Sequence, residues 1–294
     1  MGPLSGGEAL VISHRGAISP HLQALAEGLD EFCLSDFSFA NLLMFRHVHD
    51  YRFHSGDWPG VSGLTYDRQP HFFPLFGVGS APAQVLDDLI ATHGCLYPVA
   101  QPHLQGLNAS RYEWQAERDD ADYLYPRDNF IGYAGRVLQK KRNLMRQVLR
   151  SNAVQRVSLE STTGVVALGI LERWMLEKGK AAGDADHGPC VEALQDPARF
   201  GLRGFMYLVN DDPAGFVLAQ SLRPSVCVVR FAKGGDQFKG IYPYMFHDLA
   251  MSLPASVRYL NFEQDMGVAN LRRTKLSYGP CSLLPKFRVS RRSA

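Results

Sequence analysis

Two spacings of hydrophobic positions alternate along the first third of the chain. Residues 19–32, "SPHLQALAEGLDEF", place apolar side chains at helical intervals, and Ser19 or Pro20 suits the start of a helix. "PHFFPLFGVG" and "CLYPVAQ" have the composition of strands, and between them "APAQVLDDLIATHG" predicts a helix that ends at Gly94. This third of the chain therefore has the pattern of a mixed α/β domain.

The second half repeats the alternation. "TGVVALGILERWMLEKGK", "YPYMFHDLAMSL" and "VANLRRTKLSYG" predict helices, the last one closed by Gly279-Pro280. "FMYLVNDDPAGFVLAQSL" predicts a hairpin around an Asp-Asp-Pro-Ala-Gly turn, and "SVCVVRFAKG", "SVRYLNF" and "LLPKFRVS" predict further strands. We therefore predict an α/β (or α+β) fold with two lobes of similar size.

The segment from Ile131 to Arg150 is predicted to be one continuous helix that joins the lobes. On a helical wheel the apolar side chains share one arc. The opposite arc carries Arg136, Lys140, Arg142, Asn143, Arg146 and Arg150. The predicted organisation is an N-terminal lobe at 1–125, a connecting basic helix at 126–150 and a C-terminal lobe at 151–294.

Two interpretations of this basic arc stay open. It is either a solvated helix face or a track for a polyanion, because cations without interleaved acids repel one another. Lys141 departs from the arc and points into the apolar side of the helix. A buried ammonium costs free energy unless it is paired, so we expect Lys141 to meet a carboxylate or to border a wet cavity.

A second concentration of charge follows the predicted strand "SVRYLNF", where Glu263 and Asp265 flank Gln264. In open α/β sheets, ligands bind at the carboxyl ends of strands. Asp265 lies close to the start of the next predicted helix and could cap it, whereas Glu263 has no evident structural role. Lys275 lies on the packing stripe of that helix. Together with Lys141, these side chains predict one partly buried polar cavity. We expect Lys141 and Lys275 to be more buried than the other cations, each with an acidic or polar partner.

Charge and composition narrow the class of protein. Thirty-one cations against 29 anions give a net charge of +2, so any anion site must be local. No apolar window reaches the roughly 18 residues of a membrane span, and the N-terminal residues lack the pattern of a signal peptide. Five cysteines without a C-x-x-C spacing favour reduced thiols. We expect a cytoplasmic protein without an integral membrane segment, and peripheral contact with a membrane stays open.

Three blocks of the chain are similar to motifs of a known family. "NFEQDMGVANLRRTKLSYGPCSLLPKFRV" resembles the C-terminal signature of the phosphatidylglycerol lysyltransferase C-terminal domain family, N-x-E-Q-D-x-G followed by L-R-x-x-K-x-S-Y-x-P and K-x-R/Y-V. "DYLYPRDNFIGYAGRVLQKKRN" resembles its central signature, D-Y-x-Y before G-(R/K)-x-x-x-K-K-R-N. "DFSFANLLMFR" is similar to its S-x-F-x-N-L element.

The resemblance implies two tandem GNAT-like lobes and the transfer of an aminoacyl group from aminoacyl-tRNA to a lipid or small-molecule hydroxyl or amine. The membrane-bound enzymes of the family carry transmembrane helices ahead of this domain, and we expect none from this sequence. The positions that match the motifs are the catalytic candidates Glu263, Asp265 and Lys275 and the substrate-binding candidates Lys140, Lys141, Arg142, Asn143, Arg272, Tyr278 and Lys286.

The chemistry of aminoacyl transfer suits these residue types. The reaction needs a base near the acceptor and donors for the developing oxyanion, but no enzyme nucleophile. Glu263 or Asp265 could be that base or could bind the amino group, and Lys275, Arg272 or Lys141 could stabilise negative charge. Arg142, Arg146 and Arg150 could receive the acceptor arm of tRNA. No cofactor is predicted, and aminoacyl-tRNA is the expected co-substrate.

Two rival interpretations remain. "QFKGIY", Gln237 to Tyr242, resembles the GNAT pyrophosphate loop Q-x-x-G-x-G/A, so an acyl-CoA-dependent N-acyltransferase is the alternative, although Tyr242 replaces the small residue of the motif. A non-catalytic ligand-binding protein of the same fold is the other. "HVHD" (His47, His49, Asp50) could supply a pair of metal ligands on a predicted strand, but no further ligand is evident, so no metal is predicted.

Overall fold

The computed structural model describes residues 6–181 and 186–292 and is a mixed α/β protein with two sheets, as the sequence predicts. The helices are α1 (Arg15–Ala26), α2 (Phe39–Phe45), α3 (Ala83–His93), α4 (Asp128–Gly132), α5 (Gln139–Ser151), α6 (Ser161–Glu177), α7 (His187–Gln195), α8 (Ile241–Ser252) and α9 (Ala269–Leu276).

The strands are shorter than the helices on average and fall into two sheets. They are β1 (Glu8–Ala9), β2 (Arg52–His54), β3 (Gly60–Leu64), β4 (Pro70–Pro74), β5 (Leu96–Val99), β6 (Tyr112–Ala116), β7 (Asp122–Pro126), β8 (Val154–Ser158), β9 (Arg203–Val209), β10 (Asp212–Arg223), β11 (Val226–Gly234), β12 (Tyr259–Asn261), β13 (Ser282–Leu284) and β14 (Phe287–Arg291).

Unit 1 comprises the described residues up to Asp122, Gln264–Val268 and those from Leu283 onward. Its sheet has the order β1-β2-β3-β4-β5-β14-β6, and β14 is antiparallel to both of its neighbours. Helix α3 buries Leu86 and Ile90 against Phe72, Leu96 and Val289 of the sheet. Gly94 ends α3 as predicted, with φ of 86° that suits glycine.

Unit 2 comprises Tyr123–Glu263 and Ala269–Ser282. The second sheet has the order β13-β7-β12-β11-β10-β9-β8. The predicted hairpin is confirmed as β9 and β10, but its turn is Asn210-Asp211 with φ of 51° and 65°. Positive φ at both central positions matches the right-handed twist of the strands, and Asn and Asp tolerate it, so Pro213 lies in the strand.

The continuous helix predicted from Ile131 to Arg150 is wrong, because α4 ends at Gly132 and α5 begins at Gln139. Tyr133 adopts a left-handed conformation with φ of 45°, and Gly135 follows with φ of 78°, which interrupts the helical hydrogen bonds. The Tyr133 ring is fully buried, and its hydroxyl donates to the Pro243 carbonyl at 2.7 Å. Burial of this ring fixes the break.

The units are interleaved along the chain, whereas the sequence predicts consecutive lobes at 1–125 and 151–294 with a connecting helix at 126–150. Strand β14 inserts between β5 and β6, which brings the C-terminal segment into unit 1. The predicted connector, including α5, lies within unit 2. In the described ranges, no helix combines the length and hydropathy that crossing a membrane requires.

Candidate functional site

Glu263 and Arg230 form the central ion pair of unit 2. Arg230 lies on β11, and its Nη1 donates to Oε1 of Glu263, which lies two residues after β12. The Nε and Nη2 groups of Arg230 both donate to Gln220 Oε1 on β10, at 3.1 and 2.8 Å. The arginine side chain is 0% exposed and that of Glu263 is 20% exposed. The carboxylate therefore reaches solvent while its partner is enclosed.

The backbone of Glu263 is fixed as firmly as its side chain. Its φ is 55°, a left-handed value that a residue with a side chain rarely adopts. Its N–H donates to Asn261 Oδ1 at 2.7 Å, and its carbonyl accepts from the Tyr123 N–H at 3.2 Å. The expectation that Glu263 has no structural role is wrong, since its carboxylate also compensates a buried cation.

Lys275 meets the same turn from α9. Its Nζ donates to the carbonyls of Phe262 at 2.6 Å and Glu263 at 3.1 Å. The polar partner expected for Lys275 is therefore present, but it is a pair of carbonyls. Lys275 is half-buried, as is Arg272 on the same helix.

Lys141 on α5 lies over the ring of Tyr278, with Nζ 3.9 Å from the ring centroid. Burial, with a smaller contribution from Lys140, lowers the pKa of Lys141 to about 8. Its partner is an aromatic ring, whereas the sequence predicts a carboxylate or the border of a wet cavity. Tyr278 itself is 2% exposed and stacks on Phe130, so its ring serves the core.

The prediction that Lys141 and Lys275 are more buried than the other cations is wrong. The described chain also contains Arg230, Lys233 and Lys286, which are at most 7% exposed, whereas Lys141 and Lys275 are half-buried.

The basic side chains of α5 divide into two groups. Arg142 Nη1 donates to the Tyr133 carbonyl at 2.6 Å, so this arginine fastens the break between α4 and α5. Arg146 and Arg150 are exposed. A groove of about 440 Å³ is lined by Arg136, Val137, Gln139, Lys140, Asn143, Leu144 and Gln147. It brings the predicted residues Lys140 and Asn143 together.

In unit 1, Lys286 is fully buried. Its Nζ lies 2.7 Å from Asp36 Oδ2 and 2.8 Å from Asp122 Oδ1, and it donates to Gln264 Oε1 at 2.8 Å. Burial alone would lower the pKa of Lys286, but the carboxylates of Asp122 and Asp36 raise it well above the ordinary lysine value. Three acceptors match the three N–H bonds of an ammonium, so this cluster has the character of a structural centre.

Asp265 also lies in unit 1, whereas Glu263 lies in unit 2. It is 0% exposed, and its Oδ2 pairs with Arg118 at 3.2 Å. Its Oδ1 accepts from the Gly267 N–H at 2.9 Å, within a turn that precedes α9. Because α9 begins at Ala269, Asp265 caps this turn and not the helix.

Several amides of the predicted pyrophosphate loop and of the two residues before it donate to groups of the protein. The N–H groups of Gly235, Phe238, Lys239 and Ile241 donate to backbone carbonyls, and the Asp236 N–H donates to Glu177 Oε2. At the first position before α8, a Cβ on Gly240 would lie 2.2 Å from the Leu144 carbonyl oxygen of α5. Helix α5 therefore packs directly on the loop.

The predicted histidine pair lies in a turn and not on a strand. His49 is buried, and its Nδ1 bonds to the Leu64 carbonyl at 2.6 Å. Within residues 6–181 and 186–292, no group of three or more metal-ligating side chains is assembled.

Comparison with known proteins places the chain in a family. The model described as "Phosphatidylglycerol lysyltransferase, C-terminal" matches residues 32–290. The chain belongs to this family. A search of curated proteins finds no match.

Solved structures agree on the fold. A conserved protein of unknown function from Bacteroides thetaiotaomicron is 21% identical with a TM-score of 0.80, over 97% of this chain and 99% of that chain. L-PGS from Bacillus licheniformis is 12% identical with a TM-score of 0.58, over 98% and 95%. A tandem GNAT protein from the clavulanic acid pathway is 9% identical with a TM-score of 0.53, over 98% and 99%. The predicted tandem GNAT-like fold is confirmed.

Sequence reasoning missed Arg230, which no motif of the phosphatidylglycerol lysyltransferase C-terminal domain family marked. The signal was present in "SVCVVRFAKG", where Arg230 and Lys233 interrupt an otherwise apolar run. A cation in such a strand must find a partner in the interior. Lys233 does so with Asp186, at 2.8 and 2.9 Å.

Proposed function

We propose that this chain transfers an aminoacyl group from aminoacyl-tRNA to a hydroxyl or amine of a lipid or small molecule. The observation that carries the proposal is the exposed groove on α5. Between Asp128 and Glu160 the sequence contains Arg136, Lys140, Lys141, Arg142, Arg146, Arg150 and Arg156 and no acidic residue. These cations give this segment a local positive potential, although the net charge of the chain is only +2. Such a surface suits the phosphates of an RNA.

The loop before α8 favours aminoacyl-tRNA over acyl-CoA as the carrier. A pyrophosphate needs backbone N–H groups that point at the ligand. In this loop the amides of Gly235, Asp236, Phe238, Lys239 and Ile241 already have partners within the protein. Binding of CoA there would break several of these bonds, whereas binding of RNA phosphates along α5 breaks none of them.

In the proposed reaction, the acceptor oxygen or nitrogen attacks the ester carbonyl of the aminoacyl group and loses its proton, and the ribose hydroxyl leaves. Glu263 is the proposed group that takes the proton or binds the amino group of the substrate, because its carboxylate reaches solvent. Lys275 is the proposed source of positive charge beside it. If Glu263 acts as the base, the rate of transfer should fall by roughly 10²–10⁴-fold in Glu263→Gln.

The first experiment measures binding of tRNA by fluorescence anisotropy across a range of salt concentrations. Each phosphate contact removed in Arg146→Ala or Arg150→Ala should lower the log–log salt slope by about 0.7–0.9. Lys180→Ala is the matched control, because Lys180 is an exposed cation of the same unit outside α5. Binding that does not depend on salt, or equal effects of all three substitutions, would exclude the α5 face as the RNA site.

The second experiment separates the carriers. Aminoacyl-tRNA is expected to raise the melting temperature of the protein, and acetyl-CoA is expected to leave it unchanged. Stabilisation by acetyl-CoA alone would favour the N-acyltransferase. Stabilisation by neither carrier, together with no transfer to any acceptor, would favour a non-catalytic protein.

A further inference from the structure

A β-bulge places Arg230 out of the regular ladder of unit 2. Leu218 on β10 pairs with Phe231, and the next residue, Ala219, pairs with Val229. Arg230 is thus the extra residue of β11 and has no register partner. A bulge of this kind redirects a side chain and increases the local twist, and bulges concentrate beside functional sites.

The redirected guanidinium connects two polar side chains. Two of its nitrogens donate to Gln220 Oε1, and Nη1 donates to Glu263 Oε1. A guanidinium is planar and presents its donors in a fixed fork, so contacts on both sides restrict its rotation. The fork in turn restricts the carboxylate of Glu263.

Exposure separates the tasks of the two charged residues. Glu263 is 20% exposed at its side chain, whereas Arg230 is 0% exposed. A substrate can reach the carboxylate but not the guanidinium. We infer that Arg230, held by Gln220, is a positioning residue that fixes the Glu263 carboxylate for aminoacyl transfer. This inference rests on the proposed function.

The backbone around Glu263 supports the same conclusion. A non-glycine residue at φ of 55° is held there by its surroundings, and such positions concentrate at sites where a group must be pre-organised. The N–H bond to Asn261 and the carbonyl bonds from Tyr123 and Lys275 fix the main chain. The Arg230 fork fixes the remaining freedom, which is the direction of the carboxylate.

The test compares steady-state kinetics of Arg230→Lys and Gln220→Met with the wild type. Lysine keeps the charge but has one compact ammonium in place of a fork, so it cannot hold both partners in the same geometry. Misplacing a catalytic group by about 1 Å can cost about 10²-fold, so kcat should fall by about that factor in Arg230→Lys while KM changes little. Gln220→Met should lower kcat in the same direction by a smaller factor.

Arg127→Lys is the matched control for loss of a partly buried arginine whose guanidinium makes several hydrogen bonds. Its guanidinium donates to the carbonyls of Ala250, Leu253, Pro254 and Val257 in the same unit and does not contact Glu263 in any described bond. It should lower the melting temperature and leave kcat of the folded protein unchanged. Gln220→Met keeps the inference testable if Arg230→Lys does not fold.

A double-mutant cycle decides whether Arg230 acts through Glu263. In the Glu263→Gln background, Arg230→Lys should add little further loss of kcat. An equal fold loss in both backgrounds, or the same kinetic signature in Arg127→Lys, would overturn the inference while the proposed function stands. Absence of transfer by the wild-type protein from any aminoacyl-tRNA would overturn the proposed function and the role of Arg230 with it.

Discussion

Lys286 in unit 1 and Arg230 in unit 2 are both buried cations, but only the lysine is shown to pair with a fully buried carboxylate. Lys286 has two carboxylates and an amide around its ammonium, and the side chains of Asp122 and Asp36 are 0% and 17% exposed. Arg230 pairs with the carboxylate of Glu263, whose side chain is 20% exposed. A fully buried carboxylate can only stabilise the fold, whereas one that reaches solvent can also act on a ligand.

The origin of the partners differs as well. Asp36 and Asp122, Gln264, and Lys286 come from the three separate chain segments that make up unit 1. Gln220 and Arg230 lie on adjacent strands of one sheet, and Glu263 lies two residues after β12 of the same sheet. The lysine therefore joins distant segments, and the arginine orients a neighbour.

The largest expected effect is on Lys286→Met. Removing the ammonium leaves the fully buried carboxylate of Asp122 and the partly buried one of Asp36 without this cation, so the free energy of unfolding should fall by about 3–5 kcal/mol. The measurement is urea denaturation followed by fluorescence. The matched control combines Asp36→Asn, Asp122→Asn and Lys286→Met, which removes all three charges and should recover most of the loss. A loss below about 1 kcal/mol in Lys286→Met would contradict the structural role.

The next largest effect concerns the Glu263–Arg230 pair of unit 2. Glu263→Gln removes the charge that compensates Arg230 but keeps an acceptor oxygen. The free energy of unfolding should therefore be about 1–3 kcal/mol lower than that of the wild type. The melting temperature of Glu263→Gln should therefore decrease moderately. A loss as large as that of Lys286→Met would mean that the Glu263–Arg230 pair stabilises the fold as strongly as the Lys286 cluster does.

Acid is expected to weaken unit 1 through two buried histidines. Burial, with smaller contributions from neighbouring charges, lowers the pKa of His71 to about 3 and that of His93 to about 4. Because both values lie below the ordinary 6.5, the unfolded chain binds these protons first, and stability is lost as pH falls from about 6.5 towards 4. The slope should be about 1.4 kcal/mol per pH unit for each histidine.

Tryptophan fluorescence can assign that acid effect to one unit. Trp58 and Trp114 lie in unit 1, and Trp174 lies in unit 2. With Trp58→Phe and Trp114→Phe, the remaining signal reports on unit 2 alone. His71→Phe should reduce the pH dependence seen by the unit 1 tryptophans. An acid transition seen equally by Trp174 and unaffected by His71→Phe would argue against the assignment.

The smallest effect concerns the charge of Lys141, which lies over the ring of Tyr278. Lys141 should lose its proton near pH 8, since burial lowers its pKa to about 8. Reductive ¹³C-methylation followed by NMR titration measures this value directly, and Lys141→Arg removes the signal for assignment. A value at the ordinary 10.5 would show that the ring of Tyr278 does not keep the ammonium from water.

Local pattern predicted much of the fold because helices and strands are set by short-range spacing. The helix that Gly94 ends and the hairpin of β9 and β10 are both present. The break at Tyr133 was not predicted, because its neighbours continue the helical pattern and a buried tyrosine in a left-handed conformation has no local sequence signature. The strand order of the unit 1 sheet was not predicted, because β14 pairs with strands far earlier in the chain.

The candidate site was predicted in part for a similar reason. Motifs marked Glu263, Lys275 and Lys286, but the sequence grouped Glu263 with Asp265 because they are two residues apart. The chain passes from unit 2 to unit 1 between them, so proximity in sequence did not predict membership of one unit. Arg230 could have been found from its apolar strand, but its partner Gln220 depends on the hairpin register and the bulge.

The insertion of β14 between β5 and β6 sets an order of events during protein synthesis. Strands β1 to β6 leave the ribosome long before Phe287–Arg291, so β5 and β6 wait with unpaired backbone groups while the whole of unit 2 is made. Exposed strand edges invite pairing with other chains. The nascent polypeptide therefore carries an incomplete first sheet through most of translation, an interval in which its open strand edges are exposed to association with other chains.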